Sequence, residues 1–452
     1  MERENKTNKP GIVYRTFKTY LRFVHDKLLY RKTYSINSEA IPEDGTPLLI
    51  VSNHQNCLND PLGVLFTFRD RKPNFITRAD VFALSPLANK FLRSIGLLPA
   101  FRIAYDGEEN LGKNQDTFNI TEKALLNGTT IMMYPEAGHQ DKHWLGTFSY
   151  GYTKMAFEAA EASNFETEIF ILPSCNHYSH YFGIQNEFMV KFGEKISLKP
   201  FYELYKTKPR TAQREVNKLV RQQIEDLMLD VRDVENYDAI DFLRLTYGPE
   251  IASQMGLNPK SLPDRLLAEK EIVARIAKKK EEDEAFIDEL FADARELKFK
   301  LQEAGFNLHN LAHTPALMTC SLKLMGLLML LPLWIFSLWP SLFAYGIPML
   351  FFKKKFTDPM FEGTILYAFN VLCILPLCAL ITFIIMTIQV NWWSGLIYIA
   401  LFPILMLFAW YYKEWVKNTF REIRVHMANS VVINKIRTLK KNINHKIKLI
   451  FN

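Results

Sequence analysis

At 452 residues the chain is longer than one ordinary core of about 100 to 200 residues, so two or more units are expected. A formal charge of +7 with 23% charged residues suits nucleic acid or an anionic membrane surface. The basic residues from Lys413 to Lys448 directly follow an apolar run, and aromatic-interleaved basic patches are not evident, which speaks for membrane lipids and against nucleic acid. The opening MERENKTNKPG lacks the apolar stretch of a secretory signal, so the first domain is expected to stay in the cytosol.

Residues 1–35 are read as an N-terminal segment. Within it Val13, Phe17, Leu21, Val24 and Leu28 recur three to four apart among Arg15, Lys18, Arg22 and Lys27. That spacing predicts a basic amphipathic helix, lying in the membrane interface or packed on its own domain. Residues 36–200 alternate short apolar runs with helical stretches. Thr46 to His54, Pro73 to Thr77, Thr130 to Tyr134, Glu168 to Ser174 and Phe188 to Phe192 read as strands, and Phe118 to Leu126 and Thr153 to Ala162 as helices. The fold class is α/β, with a central mixed sheet flanked by helices. Ligands in such sheets gather beyond the carboxyl ends of the strands.

Residues 201–312 turn helical and charged and read as a connector or lid; the run KKKEEDE from Lys278 to Glu284 is a solvated helix face. Leu317 to Phe352 carries Lys323 as its only charge and exceeds the roughly 20 residues of a single span. A hairpin of two short helices turning near Trp339, Pro340 and Ser341 is therefore expected. Thr364 to Val390 and Trp393 to Trp410 read as two further spans, making a membrane domain of 313–412 ahead of a basic cytoplasmic tail of 413–452. Cys57, Cys175, Cys320, Cys373 and Cys378 have no metal-ligand spacing and are read as reduced thiols.

Four polar motifs follow the strands. The first, Asn53-His54-Gln55-Asn56-Cys57-Leu58-Asn59-Asp60-Pro61, offers a histidine that a carboxylate can orient, the arrangement that deprotonates a hydroxyl near neutral pH. Asp60 before Pro61 is equally the pattern of a helix cap. The second runs from Gly96 to Arg102, whose planar guanidinium suits two phosphate oxygens. The third, Met133 to Lys142, holds Glu136, which could orient Arg102 or acceptor hydroxyls, and Gly138, whose backbone a substrate can approach. The fourth, Ile171-Leu172-Pro173-Ser174, ends a strand and would shape a pocket wall. His177 and His180 lack a third ligand at motif spacing, so no metal is expected.

In this order the motifs resemble those of the glycerolipid acyltransferase family (PlsC-like) over roughly Pro47 to Phe192. Within it the pattern looks most like the glycerol-3-phosphate or dihydroxyacetone-phosphate acyltransferase branch, which has five residues between histidine and aspartate. The resemblance implies His54 and Asp60 as a catalytic pair, Arg102 as phosphate binder, and Glu136, Gly138 and Lys142 in the acceptor site. It implies a membrane-bound enzyme with its catalytic domain facing the cytoplasm, moving a fatty acyl group from acyl-CoA or acyl carrier protein to glycerol 3-phosphate or its 1-acyl form, with no bound cofactor. Three positions depart from the family pattern: the commoner spacing would end on Asn59, Ala137 stands where the first glycine is usual, and His139 where a small residue is usual. Acylation of another lysolipid, such as an aminolipid, and an inactive membrane scaffold are the alternatives.

Overall fold

The apolar run from Thr46 to His54 forms its strand over Leu48–Ser52, with all five residues buried, as a strand covered on both faces requires. It is central in an eight-stranded sheet, seen in a computed structural model that describes residues 10–83, 86–100, 114–136, 138 and 141–451. The strands are β1 Tyr30–Ile36, β2 Leu48–Ser52, β3 Asn74–Arg78, β4 Leu97–Ala100, β5 Ile131–Met133, β6 Phe170–Tyr178, β7 Asn186–Phe192 and β8 Ile196–Ser197. Their order is β1-β7-β6-β2-β5-β3-β4, with β8 on β6. From β6 to β4 every pairing on this path is parallel, whereas β6 meets β7 and β8 antiparallel, so the sheet is mixed, as expected. In the parallel part Ser52 pairs with Ser174 and Val51 with Met133. The carboxyl ends of β2 and β5 thus lie on the same edge, beside the middle of β6.

One face of the sheet packs Leu49, Val51, Ile131 and Ile171 against Phe157, Ala160, Val216 and Val220 of the helices Gly151–Ala162 and Pro209–Leu227. Toward the other face lies helix Asn59–Thr67, which approaches β7 closely. A Cβ on Gly63 would sit 2.2 Å from the Phe188 ring, so the contact requires glycine there.

Two boundaries differ from expectation. The amphipathic helix spans Ile12–Phe23 and gives way to a π-helical turn, Val24–Leu29, and then to β1. The sheet therefore begins at Tyr30, inside the N-terminal segment, because the alternation in YRKTYSI suits an edge strand with one buried face. At the other end the helices as far as Leu227 pack on the sheet core, so the unit extends to Asp230 rather than to residue 200. It also includes Phe356–Tyr367.

The second unit comprises Val231–Lys355 and Ala368–Asn452. Helices Tyr237–Gln254, Leu262–Glu282 and Glu284–Ala304 form a bundle, with Arg244 paired to Glu269 and Asp241. Two helical runs, Leu317–Lys355 and Trp392–Met427, are long and apolar enough to cross a bilayer. The turn expected at Trp339–Ser341 is helical instead: Pro340 lies inside Leu317–Ser341, and a π-helical stretch, Leu342–Gly346, follows it. Along this run Trp334 stacks on Tyr412 and Tyr345 meets Trp410 edge-on. Lys323, the one charge between Leu317 and Phe352, pairs with Glu422 at 2.7 Å.

Part of the basic tail packs within the second unit. Its helix Ser430–Phe451 buries Ile436, Leu439, Ile443 and Ile447, and Lys446 bonds both Asp293 and Glu289. Those apolar residues recur every three or four positions, a stripe that packing within the second unit uses. Cys57, Cys175, Cys320 and Cys378 are buried thiols outside any disulfide among the described residues. The side chain of Cys373 lies outside the described residues.

Candidate active site

At the carboxyl end of β2 the backbone leaves the sheet and turns over residues 53–58 before helix Asn59–Thr67. The turn brings His54 back onto Asp60, with Nδ1 2.7 Å from Oδ2. The same oxygen accepts the backbone N–H groups of Gln55 at 2.7 Å and Asn56 at 2.8 Å, while Oδ1 accepts the Tyr178 hydroxyl at 2.6 Å. Four donors converge on one carboxylate, and charge-assisted bonds of this kind are the strong ones. An ionised carboxylate only accepts, so Nδ1 of His54 carries the proton and Nε2 presents its lone pair. The side chain of Asp60 is wholly buried while that of His54 is 18% exposed, which leaves the imidazole alone reachable by a substrate.

The two readings of Asp60 are separable here. Helix Asn59–Thr67 already contains it, and its carboxylate bonds backward to residues 54–56 rather than forward to the helix's own amides. It organises the turn and the imidazole together instead of capping the helix. The residue beside it, Asn59, is buried and donates to Asn56 Oδ1 at 3.2 Å.

Glu136, just beyond β5, closes the other side. Its Oε1 accepts the His54 amide at 2.8 Å and its Oε2 the Gly146 amide at 2.7 Å. It thus ties the histidine's backbone to the segment after the third motif. Burial pushes the Glu136 carboxyl up, against the two amides and the nearby His54. Tyr134 stacks on the His54 ring with centroids 4.3 Å apart, which holds the imidazole plane.

Other expected residues divide as follows. Gly138 is exposed, with nothing among the described residues within 4 Å of where a Cβ would lie. Lys142 offers its carbonyl to Gln55 Nε2 at 3.3 Å. Arg102, Ala137 and His139 lie outside the described residues. Pro173 and Ser174 are inside β6, opposite Val51 and Ser52. His177 is buried on the same strand, its ring 5.5 Å from that of His143.

Tyr178, Asn53, Asn176 and Arg221 also contribute, none of them given a role by the sequence. Tyr178 reaches Asp60 from the far strand; within NHYSHY it is this tyrosine, between the two histidines, that serves the site. Asn53 and Asn176 bond reciprocally: Asn53 Nδ2 donates to the Asn176 carbonyl at 3.1 Å and the Asn176 amide to Asn53 Oδ1 at 2.7 Å. This pair fixes where the chain leaves β2. Arg221 donates to the Gly146 carbonyl at 2.6 Å, supporting the segment that Glu136 holds.

Among known proteins, residues 32–176 match the family model described as Acyltransferase. Of the solved structures, the 1-acyl-sn-glycerophosphate (LPA) acyltransferase PlsC from Thermotoga maritima is similar at 17% identity and a TM-score of 0.34, over 48% of this chain and 79% of that one. No curated protein matches the sequence. The stretch that carries His54, Asp60 and Glu136 is thus similar, from residue 32 to residue 176, to the acyltransferase family.

Proposed function

We propose that this protein is a membrane-associated O-acyltransferase that moves a fatty acyl group from a thioester, acyl-CoA or acyl carrier protein, to a hydroxyl of glycerol 3-phosphate or 1-acyl-glycerol 3-phosphate. The observation that carries the reading is the His54–Asp60 pair, with its aspartate saturated by four donors and its imidazole partly exposed at a strand end. Nε2 of His54 takes the proton of the acceptor hydroxyl as that oxygen attacks the thioester carbonyl, and Asp60 offsets the imidazolium that forms. Collapse of the tetrahedral intermediate breaks the carbon–sulfur bond, and the thiolate collects the proton from His54. Backbone donors near Gly138 would stabilise the oxyanion, and Arg102 would bind the acceptor phosphate. The long apolar helices support a membrane location for an enzyme whose product is a lipid.

The test is acyl transfer by the purified full chain, with each thioester offered against glycerol 3-phosphate, 1-acyl-glycerol 3-phosphate and a lyso-aminolipid. Thiol release and acylated product are expected with a glycerol-phosphate acceptor and lost in His54→Ala. Absence of product from every combination, or turnover undiminished in His54→Ala, would overturn the proposal.

A further inference from the structure

Between the two long apolar runs the chain contributes a short piece to the first unit, Phe356–Tyr367. Met360, Leu366 and Tyr367 are buried, and the Tyr367 hydroxyl donates to the Leu21 carbonyl at 3.1 Å. The polar contacts of Thr364 fall on the turn that bears His54. Thr364 Oγ1 accepts the Leu58 amide at 3.0 Å and also bonds the Cys57 side chain. Glu362 Oε1 accepts the Gly183 amide at 2.8 Å. Gly363 lies against the turn's asparagines, where a Cβ would be 2.5 Å from Asn59 Nδ2 and 2.9 Å from Asn56 Oδ1.

The turn needs such support. Cys57 adopts φ 39°, a left-handed conformation that costs a residue with a Cβ roughly 1–2 kcal/mol. Asp60 holds the amides of residues 55 and 56 from within, but the next bonded amide, that of Leu58, finds its acceptor 306 positions away in sequence. Asn56 is held from a third direction, donating to the Tyr181 carbonyl at 3.1 Å.

The geometry assigns Thr364, with Gly363 beside it, as positioning residues of the His54 turn, so that a segment outside the acyltransferase-like stretch completes the active site. Its kinetic consequence rests on the acyl-transfer reading; the clamp itself does not. Neither residue touches substrate. Thr364 supplies the oxygen that fixes the Leu58 amide, and Gly363 the close approach that keeps the two asparagines in place. Loosening either lets His54 drift from Asp60 without changing any group that binds acceptor or thioester.

The experiment compares Thr364→Val, which keeps the shape and removes the oxygen, with Thr364→Ser, which keeps the oxygen, in the purified full chain. Backbone amide exchange of residues 55–58 and steady-state kinetics are both measured. Thr364→Val is expected to speed exchange at Leu58 and to lower kcat about tenfold, with the KM of donor and acceptor within about twofold. Thr364→Ser is expected to restore both. Gly363→Ala should act like Thr364→Val while sparing the hydroxyl. Unchanged exchange in Thr364→Val, or faster exchange with kcat per folded molecule unaltered, would overturn the assignment. Faster exchange in Thr364→Val, in a protein whose wild type transfers no acyl group, would sink the acyl-transfer reading and leave the clamp supported.

Discussion

Replacing Asp60 by asparagine tests the charge of the pair apart from its shape. The carbonyl oxygen of the substituted side chain could still accept the Gln55 and Asn56 amides that Asp60 Oδ2 now accepts. The new amide nitrogen would face Tyr178, whose hydroxyl can turn from donor to acceptor. The fold is therefore expected to lose only about 1 kcal/mol. The imidazolium loses much more: opposite charges about 4 Å apart at an effective dielectric near 20 attract by about 4 kcal/mol. Allowing for partial solvent access to His54, turnover should fall by roughly 10² to 10³, at about 1.36 kcal/mol per tenfold. Thiol release under saturating thioester and acceptor measures kcat, and thermal unfolding measures the fold. Asn59→Ala, which loses the single bond to Asn56, serves as the neighbour control and should stay within about tenfold of wild type. Near-full turnover in Asp60→Asn together with inactive Asn59→Ala would show that the pair is misassigned.

Arg102→Ala is expected to raise the acceptor KM well beyond any change in the thioester KM; a rise confined to the thioester would remove the arginine from phosphate binding. Since Phe356–Tyr367 belongs to the same unit as His54, Lys353, Lys354, Lys355 and both termini are expected on the cytoplasmic side, and labelling of a tag at Lys354 by an impermeant reagent in intact cells would contradict this. Burial lowers Lys18 from 10.5 to about 8, so the unfolded chain binds more protons between those values and stability should rise with pH from about 8 toward 10.5. Thermal midpoints of wild type and Lys18→Met across that range test this, and a constant gap between them would show that the lysine is not desolvated.

What could be read in advance follows the range over which each interaction acts. LLIVS declares itself because both faces of its strand are covered and every position is apolar or small. The His54–Asp60 pair was legible because both ends lie within one turn of chain. β4, Leu97–Ala100, lies in the second motif and carried no strand signal because four residues containing Pro99 show no alternation; its parallel pairing with β3 makes it a strand. β1 was hidden because the three-to-four spacing of the preceding helix runs on to Leu28, where the backbone has already become π-helical. Glu136 could not be assigned its amide partners, since residues 54 and 146 converge on it only when the strand ends align. Tyr178 reaches Asp60 from 118 positions away, and nothing local marks that distance. The docking of the lysine-rich tail was hidden for another reason: its charge is conspicuous, while the apolar stripe of Ile436, Leu439, Ile443 and Ile447 that docks it is interleaved with that charge.

The Leu58–Thr364 bond also bears on how the chain matures. Contacts of such sequence separation are slow to form because a long loop must close before they repay it. A ribosome adding about 5 to 20 residues per second releases the sheet's last strand, β8, well before Thr364 exists. Until then the His54 turn keeps Asp60 but lacks the hydroxyl that satisfies its last amide. The nascent chain would therefore hold a nearly finished first unit with an incomplete His54 turn, completed only once the chain beyond its first apolar run has been made. A shortened chain ending at Asp230 would stay permanently at that stage.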